Sequence, residues 1–136
     1  MMGTKTEPFS AVHESGDCLE SVHGYFFVDQ VCDDLLVAVR LKFDDEIVVL
    51  TAEEDDTIGV FGPSWRRDSE DVELRGLSGT PPWTSAIGKP LLWSWTMTNQ
   101  LGYFDGVQIQ FGTNVENAGV QVQLLVVASE IKVRII

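Results

Sequence analysis

A chain of 136 residues in which 21 Asp and Glu face 9 Lys and Arg has a formal net charge of −12, with 44% apolar and 22% charged residues. That length fits one domain, the composition excludes wholesale disorder, and no apolar run approaches the roughly 18 residues of a membrane helix. Charge of this sign opposes phosphate backbones and anionic lipid alike, so no nucleic acid and no membrane is expected as partner; a basic protein, a cation or plain solubility remain.

In chain order, residues 1–17 read as a polar leader, without the apolar core of a secretory signal. Period-two alternation begins at Val22, Gly24, Phe26 and Val28, set against Ser21, His23, Tyr25 and Phe27. Asp33 and Asp34 mark a turn, and Leu35, Val37, Val39, Leu41 and Phe43 form one face of the next strand. Asp44 and Asp45 turn the chain again. Residues 47–52 are apolar on both faces, which suits a strand covered on two sides. Glu53, Glu54, Asp55 and Asp56 make a third turn before a short strand over 57–61. Residues 62–83, with Pro63, Gly76, Gly79, Pro81 and Pro82, form a long loop with a short strand near Val72. A single helical turn is expected over 83–88, closed by Lys89-Pro90.

Alternation then returns. Leu91, Trp93, Trp95 and Met97 share a face that reads as core. Val107, Ile109 and Phe111 alternate with Gln108 and Gln110; Val120, Val122, Leu124 and Val126 with Gln121 and Gln123; Ile131, Val133 and Ile135 with Lys132 and Arg134. About eight strands joined mainly by short turns predict an all-β, or mainly β, single domain over 1–136. The expected form is an antiparallel meander folded as a β-sandwich, roll or partly open barrel, with at most one short helix.

The charge is lopsided: residues 1–75 carry the whole net −12, and residues 76–136 are neutral. A meander gathers Asp29, Asp33, Asp34 and Glu53, Glu54, Asp55, Asp56 at one end, and Asp44, Asp45 and Glu46 at the other, about 20–25 Å away. The 53–56 run lacks the alternating acids and glycine of a calcium loop, so no metal is expected. Cys18 and Cys32 lie in no metal or redox spacing, and the hairpin keeps them apart, which suggests reduced thiols in the cytoplasm.

Catalytic chemistry is hard to find. The two histidines, His13 and His23, accompany no nucleophile motif, and no phosphate loop or dinucleotide fingerprint occurs, so neither an enzyme nor a cofactor is expected. Paired carboxylates with four Trp evoke a glycosidase, but a core role for Trp93 and Trp95 argues against it. The most individual stretch is Trp93-x-Trp95-x-x-x-Asn99-Gln100-x-Gly102-Tyr103-x-Asp105-Gly106. It reads either as a packed corner between strands or as a recognition loop of Asn99, Gln100, Tyr103 and Asp105.

Together with Asp55-Asp56-Thr57-Ile58 and Ile87-Gly88-Lys89-Pro90-Leu91, that stretch resembles a family of small bacterial proteins of unknown function across most of residues 20–112. In size and charge the chain is similar to the immunity proteins that neutralise bacterial toxins. That resemblance implies a non-enzymatic interaction protein with a basic bacterial partner, and it carries no catalytic residue. The acidic turns would speed encounter, and Trp65 and Trp83, taken as exposed, would anchor the contact. The alternatives are a β-roll that binds a small ligand or metal, and a homodimer or larger structural oligomer joined by an apolar face or the 131–136 edge.

Overall fold

Two meanders of alternating strands build the protein. The computed structural model describes residues 7–28, 35–65, 72–112 and 119–136. In the first sheet, β1 (Leu19–Phe27), β2 (Leu35–Phe43), β3 (Ile47–Ala52) and β4 (Ile58–Phe61) pair in succession, and β5 (Val72–Gly76) joins the free edge of β1, giving the order β4-β3-β2-β1-β5. In the second, β6 (Leu91–Thr98), β7 (Phe104–Phe111), β8 (Val120–Val127) and β9 (Glu130–Ile135) lie side by side in chain order. Every pairing between these strands is antiparallel. The protein is thus mainly β, with two antiparallel sheets packed as a sandwich, as the alternation predicts.

The inward positions of both sheets fuse into one core. Val39, Leu41, Val48 and Leu50 from the first sheet meet Val107, Ile109, Val122 and Leu124 from the second, all fully buried. Each such side chain contributes about 1.5–3 kcal/mol by leaving water. Phe43, at the end of β2, stacks on Phe111, at the end of β7, with ring centroids 6.5 Å apart. This contact closes one end of the sandwich.

Two helical segments plug the gaps between the sheets: the first corrects the sequence reading, and the second is the expected turn with an unexpected burial of Trp83. The expected polar leader contains α1 (Glu7–Ser15), whose Phe9 and Val12, three residues apart on one face, are fully buried. Gly16 ends the helix with φ +72° and donates its N–H to the Val12 carbonyl at 3.1 Å. The single turn expected near 83–88 is α2 (Trp83–Ala86), and it carries Trp83 into the core at 2% exposure. Trp83 therefore fills the interior and cannot anchor a partner: the turn places Trp83 and Ala86 on the same inward side. None of the described helices is long and apolar enough to cross a membrane. Cys18 is a free thiol that bridges to Pro90 through the backbone, and Cys32 lies outside the described residues.

Candidate functional site

Antiparallel pairing brings the ends of β1, β3 and β8 and the start of β2 to one end of the sandwich. There the 53–56 turn of the first sheet is tied to the 128–129 turn of the second. Asp56 Oδ1 accepts the Ser129 backbone N–H at 2.8 Å and the Ser129 hydroxyl at 3.3 Å. Asp56, Ala128 and Ser129 all hold left-handed φ values, 60°, 51° and 65°. Such values are costly for residues other than glycine, and the mutual bonds hold them in place. Asp55 Oδ1 accepts the Thr57 N–H at 3.2 Å and its hydroxyl at 2.5 Å, closing an Asx turn.

Glu53 accepts a hydrogen bond from the Thr51 hydroxyl at 3.0 Å, in space that a Cβ on Gly59 would occupy. Glu53 and Glu54 then stand at a cavity of about 380 Å³ whose remaining wall is Phe27, Leu35, Val37, Ala52 and Ser129. A slot lined by four apolar residues together with Glu53, Glu54 and Ser129 suits the long stem and cationic head of Lys or Arg. Of the acidic residues expected here, Glu53 and Glu54 line the slot, while Asp55 and Asp56 mainly stabilise turns. Asp29, Asp33 and Asp34 lie outside the described residues.

The 99–105 loop caps the second sheet at this same end, two strand spacings (about 10 Å) from the 128–129 turn. Asn99 organises it: its Oδ1 accepts the N–H groups of Leu101 at 2.9 Å and Tyr103 at 3.2 Å, and its backbone N–H donates to the Tyr103 carbonyl at 3.0 Å. Its amide also donates to Asp105 Oδ2 at 3.4 Å. Asn99 and Asp105 thus form the packed corner, and the outward groups are Gln100, Leu101 and Tyr103, the last 53% exposed. Trp65 is half-buried and meets Tyr25 edge-on at 5.2 Å, so it covers the first sheet and does not stand free as an anchor.

The largest departure from the sequence reading lies on β6. Leu91 pairs with Phe111, but Trp93 pairs with Gln110, so Leu92 is an extra residue in a β-bulge. One extra residue reverses the parity of everything after it. Ser94 and Thr96 take the register positions opposite buried Ile109 and Val107, while Trp93 and Trp95 turn outward beside Gln110 and Gln108. They are 47% and 42% exposed. Of the face read as core, Leu91 before the bulge is buried, and Trp93 and Trp95 after it are surface. Beside it, α1 and β6 enclose a smaller cavity of about 230 Å³ that includes His13 and Trp93, whose rings stack at 6.1 Å. Among the described residues, no three His, Cys, Asp or Glu side chains stand together as a metal site.

The profile of a family of unknown function (DUF6334) matches residues 5–136. The chain belongs to the DUF6334 family. No curated protein and no solved structure matches it. Sequence reasoning missed the Trp93 and Trp95 face because the bulge has no local signature. It missed α1 although Phe9, Val12 and the terminating Gly16 were visible.

Proposed function

We propose that this protein is a non-enzymatic recognition module for a basic bacterial protein, acting in the cytoplasm as an immunity-type inhibitor does on its toxin. One observation carries the reading: a slot lined by Phe27, Leu35, Val37 and Ala52 together with Glu53 and Glu54, at an end that also exposes Leu101 and Tyr103. A Lys or Arg of the partner would lay its stem along Phe27 and Val37 and its charge against the carboxylates. The net charge of −12 would steer encounter, and Tyr103 would add aromatic contact area.

Affinity capture from the native cell lysate at low and moderate salt tests this, with the intact protein and a Glu53→Gln/Glu54→Gln variant side by side. A stoichiometric basic protein, weakened by salt and lost by the variant, is the expected result. Equal retention by the variant, or no basic protein retained at either salt, overturns the proposal. A second reading is self-association through the open edge of β9, where Ile135 and Ile136 are 60% and 58% exposed. A mass that rises with concentration in light scattering would favour it.

A further inference from the structure

We propose that the outer face of the second sheet is a binding platform for a neutral glycan. The register aligns two rows across it: Trp93 with Gln110 and Gln121, and Trp95 with Gln108, Gln123 and Arg134. The two indoles stand two residues apart on one strand, about 6.8 Å along it, and both are open to solvent. His13 of α1 stacks against Trp93 and restricts its rotation, so that ring is held before any ligand arrives.

The chemistry of these side chains selects the ligand. A pyranose presents a face of C–H groups and a rim of hydroxyls. The C–H face is attracted to the negative face of an indole, and each Gln amide both donates and accepts hydrogen bonds at the rim. The two rows contain no carboxylate, although the chain as a whole is strongly acidic. A basic protein would find no carboxylate in these rows, only Glu14 beside Trp93 and a Glu130 already paired with Lys132, and is better served by the Glu53 and Glu54 slot. A nucleic acid could stack its bases on Trp, but its phosphates would need cations. Among the described residues of this face those are Arg134 and Lys132, on the strand farthest from β6 at about 14 Å, and Lys132 is already paired with Glu130. A neutral polyhydroxylated chain lying across β6 and β7 meets none of these objections. The platform is separate from the acidic end and stands or falls independently of it.

The test is affinity electrophoresis of the full chain through gels containing hydroxyethyl cellulose, laminarin, galactomannan or xyloglucan, with polygalacturonate as an anionic control. Retardation by at least one neutral polymer, unchanged between low and high salt, is expected. Trp95→Ala should weaken it about tenfold or more, as loss of a stacking ring does. Trp95→Phe should keep most of it, and Glu53→Gln/Glu54→Gln should leave it unchanged. Both Trp95 variants are surface changes, so an unaltered melting curve separates lost binding from lost fold. Any of four results overturns the proposal: no neutral polymer retards the protein, Trp95→Ala is retarded equally, only polygalacturonate binds, or Trp95→Ala instead abolishes capture of a protein while no polymer binds.

Discussion

On the outer face of the first sheet Val49 is 2% exposed, whereas on the outer face of the second Trp95 is 42% exposed, although both occupy outward positions of alternating strands. The difference lies in the chain that follows. After β4 the backbone turns at residues 62–65, with the Trp65 N–H donating to the Gly62 carbonyl at 3.3 Å, and folds back over the sheet. Pro63 and Trp65 then stand with Tyr25, Arg40, Ile47 and Val49 around a cavity of about 360 Å³. The links at 99–103 and 128–129 in the second sheet lay no such cover over Trp95. Alternation decides which residues point outward, and the chain laid over an outward face decides whether it meets water.

The sharpest way to break this comparison is to put a charge on each face. Val49→Lys places an ammonium under the 62–65 cover, directly opposite Arg40, and should cost about 3 kcal/mol or more. Gln108→Lys, on the open face, should stay within about 0.5 kcal/mol. Urea denaturation midpoints of the two variants measure this. Similar losses would mean that the two faces are equally covered.

The parts of the fold legible in the sequence are those that a period of two can encode. Val39, Leu41, Val107, Ile109, Val122 and Leu124 were identifiable as core because each is flanked by residues of the opposite facing. The gathering of β1, β2 and β3 ends around Glu53 and Glu54 was legible too, because short turns force consecutive strands to reverse. Three features were not. Leu92 looks like any other strand residue, yet as a bulge it turns Trp93 and Trp95 from core to surface. Two apolar residues, Phe9 and Val12, are too few to announce a helix through periodicity alone, although they suffice to dock one. Trp83 follows two prolines in a loop-like stretch, and only the space left between the sheets explains its burial.

Removing the cover itself gives an intermediate effect. Trp65→Ala deletes a half-buried ring that meets Tyr25 at 5.2 Å and 81° between planes, and should cost about 2 kcal/mol, roughly half the value for a fully buried Trp. Trp95→Ala removes a ring of the same size from the open face and should cost about 0.5 kcal/mol or less. Thermal unfolding of both variants gives the ratio. A Trp95→Ala loss as large as that of Trp65→Ala would show that the open face carries stability, and would weaken its reading as a surface kept free for a ligand.

The smallest effect concerns the turn that holds the open face in register. Asn99→Ala removes the acceptor for the Leu101 and Tyr103 N–H groups, at 2.9 and 3.2 Å. Leu101 and Tyr103 are exposed, so water replaces the lost oxygen, and the cost should be about 1 kcal/mol, at the lower end of the range for stranding a buried donor. Gln100→Ala, at the neighbouring exposed position, should cost nothing measurable. Hydrogen exchange separates a local effect from a global one: in Asn99→Ala the Leu101 and Tyr103 amides should exchange faster, while those of β7 and β8, paired with each other from Gly106 to Phe111, keep their protection. Loss of protection along β7 as well would mean that the Asn99 corner, and not the cross-strand ladder, sets the register that presents Trp93 and Trp95.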